Sequence, residues 1–211
     1  MLPLMEDYIL KHSTQPDEYL QRLYRATFLH LLRPRMAAGP LQGQFLKMLM
    51  QMMHPQTVVE IGTFSGYATL SMASGLKKGS KIYTFEINDE QESFTRPWLE
   101  NAPYEADIEF LIGNVFDLLP SLHLHVDLAY IDANKREYID YYELLMPFLS
   151  PGSFILADNT LWDGHVIDPA YNHDVQTLAV RRFNDYVAAD SRVEQIILPE
   201  RDGLTMIRVK D

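Results

Sequence analysis

Two short apolar runs in this chain each end in a carboxylate. Residues 128–131 lead into Asp132-Ala133-Asn134-Lys135, and residues 154–157 lead into Asp158-Asn159. Runs of this kind read as buried strands, and ligands of open α/β sheets sit outside the carboxyl ends of their strands. Neighbouring strands lie about 5 Å apart, where two unshielded carboxylates repel, so the pattern asks for a cation between them. The donors on offer are oxygens, which suits a hard ion such as magnesium, calcium or manganese. Lys135 follows three residues after Asp132. Beside a divalent ion its ammonium form is disfavoured, which readies the amine to accept a proton. The plainer reading is a lysine that caps the loop or pairs with a surface acid.

A second constellation lies upstream, in V-V-E-I-G-T-F-S-G-Y at 58–67. A dinucleotide fingerprint begun at Gly62 needs two further glycines where Phe64 and Tyr67 stand. The spacing is instead Glu60-x-Gly62-x-x-x-Gly66. An acid before the turn repels phosphates and suits a ligand carrying ammonium or sulfonium, of which S-adenosylmethionine is one. Glu86 closes the next apolar run, 24 residues after Gly62, where an acid can accept hydrogen bonds from ribose hydroxyls. The bland reading is a turn glycine, a packing glycine and two solvated acids.

The elements that must position these groups follow from periodicity. Residues 1–56 read as a helical N-terminal extension, with Asp17 ahead of Leu20, Leu23, Tyr24, Thr27, Phe28 and Leu31 at helical spacing. A break at Arg33-Pro34 and Gly39-Pro40 precedes a second apolar helix through Phe45, Leu46, Leu49, Met52 and Met53. From 57 to 211, strands at 58–61, 81–86, 108–112, 128–131 and 154–157 alternate with helices near 67–76, 89–101, 137–148 and 174–189. Such alternation predicts an α/β core whose sheet is mostly parallel, with helices on both faces. The runs 194–198 and 204–209, around Pro199-Glu200-Arg201-Asp202-Gly203, predict an antiparallel hairpin that ends the sheet and brings it to seven strands.

Composition narrows the classes. A chain of 211 residues fits one domain with a full core. A net charge of -11, with no run of Lys or Arg, argues against a nucleic-acid partner. No apolar run approaches the roughly 20 residues of a membrane span, and the first twenty residues have no signal-peptide pattern. The absence of cysteine excludes disulfides and thiolate sites and fits a cytoplasmic protein. Met48, Met50, Met52 and Met53 read as core filler, and Tyr138, Tyr141 and Tyr142 as packing. His123 and His125 lack zinc-site spacing and read as surface residues. Trp162 is a candidate for stacking on an aromatic ligand, and Asp163 and His165 could face it too.

Taken in order, these motifs resemble the cation-dependent O-methyltransferases, the family of catechol and caffeoyl-coenzyme A O-methyltransferases. The resemblance runs from about Met36 to the C-terminus. It includes Gly39, Gly43 and Gln44, then E-I-G-T-F-S-G-Y, F-E-I-N at 85–88, Y-I-D-A-N-K at 130–135, D-N-T-L-W-D-G at 158–164 and D-G-L at 202–204. It implies a single Rossmann-like methyltransferase domain that uses S-adenosylmethionine and a divalent cation, usually magnesium, on a small phenolic acceptor. It implies Asp132, Asp158 and Asn159 as metal ligands and Lys135 as general base. Glu60, Gly62, Thr63 and Tyr67 would line the methionine end of the cofactor. Glu86 would take the ribose, and Ile87, Asn114 and Val115 would lie near the adenine. Met36, Ala38, Asp132 and Asn134 fall on further cofactor positions, and Trp162 and Asp163 on the acceptor side. A homodimer is also implied, with no membrane and no nucleic acid. Three positions depart from the family: Ala68 stands for a frequent serine, Asn134 for an aspartate or tryptophan, and Asp163 for an asparagine. Those changes bear on the acceptor more than on the chemistry. Alternatives still open are a different acceptor such as RNA or protein, a nucleotide-dependent oxidoreductase on a similar sheet, and a non-enzymatic binding protein.

Overall fold

The structure, a computed structural model, describes residues 3–211. Three helices come first: α1 (Pro3–Lys11), α2 (Glu18–His30) and α3 (Pro40–Met53). Asp17 caps α2 by accepting the Leu20 N–H at 3.0 Å, which satisfies a donor that a helix start leaves unpaired. α2 and α3 are separated where Arg33 takes a left-handed backbone ahead of Pro34, and Pro40 then opens α3 with its fixed φ. The alternating part follows as β1 (Thr57–Ile61), α4 (Tyr67–Ala73), β2 (Lys81–Glu86), α5 (Glu92–Glu100), β3 (Asp107–Ile112), α6 (Val115–Leu118) and β4 (Val126–Ile131). It continues as α7 (Tyr138–Leu145), β5 (Leu149–Asp158), α8 (Val175–Ala189), β6 (Val193–Leu198) and β7 (Leu204–Val209). Among the described residues no helix is long and apolar enough to cross a membrane.

The seven strands are ordered β3-β2-β1-β4-β5-β7-β6. β1, β4 and β5 pair in parallel, as do β2 and β3, whereas β7 runs antiparallel to both β5 and β6. The expected hairpin is present, but its second strand enters the sheet first. β7 lies against β5, and β6 forms the outer edge. That placement ties the turn before β7 to the end of β5, with consequences for the site below.

Contacts group the chain into two compact units. One comprises the residues up to Gln56 together with Thr63–Gly113; the other comprises Thr57–Gly62 and Asn114–Asp211. In the first, Leu20, Leu23, Ala37, Ala38, Tyr67 and Leu70 pack into one apolar cluster. The methionines of α3 do not all join a core. Met50 is fully buried, but Met48 and Met52 are 51% and 76% exposed. Met48, Met50 and Met52 are all spaced by two along a 3.6-residue period, so one face of α3 cannot bury them all. In the second unit the strand interiors Leu128, Ala129, Tyr130 and Ile131 of β4 and Ile155, Leu156 and Ala157 of β5 have no solvent exposure. Strands buried on both faces read as unbroken apolar runs, which is why these two stood out in the sequence.

Candidate active site

In the second unit, the register of β4 and β5 pairs Ile131 with Ala157. Asp132 and Asp158 therefore leave the sheet side by side. Asp158 is only 2% exposed. Its Oδ2 accepts the Tyr130 hydroxyl at 2.8 Å and its Oδ1 accepts the Asn159 backbone N–H at 2.8 Å. Asn159 reaches that position with a left-handed backbone (φ 58°), which asparagine tolerates better than most residues. Two carboxylates and a carboxamide make an all-oxygen donor set suited to a hard divalent ion. Two hydrogen-bond donors holding Asp158 are the support that a metal-binding carboxylate ordinarily has. These residues fit the implied cation. Among the described residues no three His, Cys, Asp or Glu side chains converge as a metal site. A cation here would therefore depend on the Asn159 amide and on oxygens from outside the chain.

Lys135 is the chain's own cation at this place. Its Nζ donates to Asp132 Oδ1 at 2.9 Å and to the Tyr138 hydroxyl at 2.6 Å, and that hydroxyl donates on to the Asp158 carbonyl at 3.0 Å. Burial pushes the ammonium down, but the charge of Asp132, with Tyr138 and Asp158, holds it well above the usual lysine range. The sequence reading expected a lowered value beside a divalent ion; the chain by itself does the opposite. Tyr138, read as packing, does pack edge-on against Phe183 at 5.3 Å, yet its hydroxyl also belongs to this network.

Gly62 has its function in the same unit. The Asp132 N–H donates to the Ile61 carbonyl at 2.9 Å, so the two chains run in contact past the end of β1. At φ +100°, a Cβ on Gly62 would collide with the Asp132 carbonyl, its carbon 2.7 Å away. The glycine is thus required by the approach of the backbone at the end of β4. Gly62→Ala should lower the melting temperature by roughly 10 °C or prevent folding, since a backbone collision adds to a cost of about 1–2 kcal/mol for the left-handed alanine. Gly79 has a similar φ of +93° with nothing within 4 Å of a Cβ, so Gly79→Ala should lose only the smaller amount. Equal losses in thermal melts of the two variants would refute the collision.

The turn between β6 and β7 holds the segment after Asp158. The Asp202 carbonyl accepts the N–H groups of Leu161 and Trp162 at 2.7 and 3.1 Å, and the Gly203 carbonyl accepts that of Thr160 at 3.0 Å. A Cβ on Gly203 would lie 2.6 Å from the Leu161 nitrogen, which explains the D-G-L motif. Trp162 is half-buried, with the Lys135 ammonium 5.9 Å from its ring centre. Asp163 is exposed and hydrogen-bonds Asp202, whose carboxyl is raised by burial and then by the charge of Asp163. His165 stacks on Tyr171 with ring centres 3.5 Å apart. Arg181 of α8 clasps the carbonyls of His165, Val166 and Asp168 and the side chain of Asn172.

Glu200, in the same turn, was missed by the sequence reading because turn acids are ordinarily solvated. Both carboxyl oxygens are buried and take no hydrogen bond among the described residues. Burial, then the charge of Asp158, pushes its carboxyl from 4.5 up to about 7. The folded chain then holds this proton to higher pH than the unfolded chain does. Its contribution to stability therefore declines as pH rises between about 4.5 and about 7. Glu200→Gln should melt roughly 2 °C above the parent at pH 8 and together with it near pH 4.5, measured in chelator. A gain of the same size at both pH values would show that the carboxyl does not titrate as described.

In the first unit, the loop after Gly62 is fixed through hydrogen bonds to β2 and α5. The Thr63 and Thr84 hydroxyls lie 2.6 Å apart, and Phe64 donates its N–H to Glu86 Oε2 at 2.8 Å. Glu86 Oε1 accepts the Asn88 N–H at 2.9 Å, and Thr95 donates to the Phe64 carbonyl at 2.6 Å. Each Glu86 oxygen keeps a further lone pair for hydroxyl donors. Tyr67 is buried in the apolar cluster with Ala38, Met36 is 55% exposed and Ile87 is 74% exposed. In the second unit, Glu60 is fully buried on β1, opposite Tyr130 of β4. Asn114 caps α6 through the Phe116 N–H, Val115 is buried, and Asn134 caps the turn that carries Lys135.

A model of the O-methyltransferase family matches residues 10–210. The chain belongs to the O-methyltransferase family. The match begins well before Met36, where the motif resemblance started. Caffeoyl-CoA O-methyltransferase 2 of Populus trichocarpa is 33% identical over 216 residues, covering 95% of this chain and 86% of that protein. Among solved structures, the O-methyltransferase of Bacillus cereus in complex with SAH superposes with a TM-score of 0.86 at 27% identity, covering 98% of this O-methyltransferase and 97% of that chain. TomG of Streptomyces achromogenes, an O-methyltransferase involved in tomaymycin synthesis and solved with SAM, gives 0.86 at 26% identity, covering 98% and 96%.

Proposed function

We propose that this O-methyltransferase moves a methyl group from S-adenosylmethionine to one hydroxyl of a catechol-like or hydroxycinnamoyl-type small molecule, with a divalent cation, magnesium foremost. The observation that carries the reading is the β4–β5 register. It sets Asp132 beside Asp158 and Asn159, with Lys135 at 2.9 Å from Asp132. The names of the curated relatives support the acceptor class, and solved relatives with SAM or SAH support the methyl donor.

When bound, the cation supplies Lewis acidity at the acceptor oxygen and, by like charge, disfavours the proton on Lys135. The methyl donor supplies a sulfonium carbon for in-line displacement, and its loss of methyl leaves a neutral thioether. The chain does the rest. Asp132, Asp158 and Asn159 orient, and the Lys135 Nζ takes the acceptor's hydroxyl proton as the O–CH3 bond forms. Tyr138 and Asp132 hold that amine in place. Glu86 offers acceptor lone pairs to ribose hydroxyls. Trp162 offers a flat face to an aromatic acceptor.

The reading is tested by binding and turnover together. SAH, and not NADH, should raise the melting temperature, and a panel of catechols and dihydroxycinnamoyl conjugates should be methylated with magnesium present. Stabilisation by NADH alone, or no methylation across the panel by metal-loaded protein, would sink it.

A further inference from the structure

We infer that the Tyr130 hydroxyl is a positioning group for the cation site, holding Asp158 in the orientation in which it binds metal; this rests on the metal reading above. Tyr130 lies in the interior of β4, paired with Glu60 of β1 and Leu156 of β5, and has no solvent exposure. Packing alone does not call for a hydroxyl there. A phenylalanine fills the same space, and a buried hydroxyl carries a desolvation cost unless it is hydrogen-bonded. The hydroxyl donates to Asp158 Oδ2 at 2.8 Å, on the carboxylate that ends the neighbouring strand.

The rest of the carboxylate's surroundings shows what that bond adds. Oδ1 is held by the Asn159 N–H at 2.8 Å, one residue along the same chain, so it moves with the loop. Tyr130 is anchored two residues before Asp132 and in the sheet itself. Its bond therefore ties one proposed ligand to the strand that carries the other. With both oxygens held, the carboxylate plane is fixed before any ion arrives. Without the hydroxyl, Asp158 Oδ2 loses the bond that ties it to β4, while the Asn159 N–H still holds Oδ1. Tyr130 would not touch the ion or the acceptor. Its effect passes through Asp158.

The matched control is in the same unit. Tyr142 is also fully buried, and its hydroxyl donates to Asp190 Oδ2 at 2.8 Å. Tyr142→Phe thus removes the same kind of bond from a carboxylate outside the cation site. Manganese binding to the full chain, followed by electron paramagnetic resonance titration of free Mn2+, should weaken about 10- to 100-fold in Tyr130→Phe, the range for losing a group that supports a metal ligand. In Tyr142→Phe it should stay within about 2-fold of the parent, and SAH affinity should stay within about 2-fold in both variants. Unchanged manganese affinity in Tyr130→Phe would overturn the inference, as would equal weakening in both variants. A parent protein that binds no manganese would overturn the metal reading itself, and the inference with it.

Discussion

Asp158→Ala should reduce methyl transfer at least about 10³-fold, to the level that the parent shows in chelator, while changing SAH affinity by less than about 3-fold. The size follows from what the carboxylate does. A cation's stabilisation of charge in a transition state is worth several kcal/mol, and about 4 kcal/mol is a thousandfold in rate. The separation of turnover from donor binding follows because Thr63 and Glu86, assigned to the donor, keep their own hydrogen bonds. The substitution also takes the acceptor away from the Tyr130 hydroxyl and removes the charge that helps raise Glu200. The Glu200 carboxyl should therefore titrate closer to its ordinary range in this variant. Turnover that responds to added magnesium as the parent's does would remove Asp158 from the ligand set.

Lys135→Ala should lower turnover about 10²- to 10⁴-fold with a smaller change in acceptor KM, the range for loss of a general base. The deficit should be larger at pH 7 than at pH 9 to 10, where the acceptor hydroxyl ionises without help. The chain holds the Lys135 ammonium above its usual range through Asp132 and Tyr138. A second effect comes with it. Lys135 is 8% exposed and Asp132 23% at the side chain, so removing the lysine leaves an acid partly buried beside Asp158 without its cation. Losing one partner of a buried pair costs on the order of 3 kcal/mol. In chelator the variant should therefore melt lower than the parent, and magnesium should restore more stability to it than to the parent. A pH–rate profile parallel to the parent's would exclude Lys135 as the base.

The sheet and the carboxylate pair were legible because both depend on local pattern. Strands buried on both faces appear as unbroken apolar runs, and the acids stand where those runs stop. Pairing was less legible. Nothing local in 194–209 says that β7 rather than β6 lies against β5, yet that choice brings Asp202 and Gly203 onto Thr160, Leu161 and Trp162. Gly62 was recognised. The sequence left open a ligand-lining glycine and a turn or packing glycine, and the carbonyl of Asp132, distant in sequence and adjacent in space, supplies the packing constraint. The protonation of Lys135 and the surroundings of Tyr130, Tyr138 and Glu200 were hidden for a shared reason. A tyrosine in an apolar run reads as packing, and an acid in a turn reads as solvated. Burial with a specific hydrogen-bond partner separates the tyrosines from that ordinary case, and burial without one separates Glu200.

The central claim is metal-assisted methyl transfer at the site built on Asp132 and Asp158. It is tested most directly by following the methyl of labelled S-adenosylmethionine into a 3,4-dihydroxycinnamoyl acceptor and its 4-monohydroxy counterpart. The assay is run with chelator and then with excess magnesium. The account predicts label in the dihydroxy compound only, no transfer in chelator, and recovery with magnesium. Transfer that persists undiminished in chelator, or that treats the two acceptors alike, would contradict it.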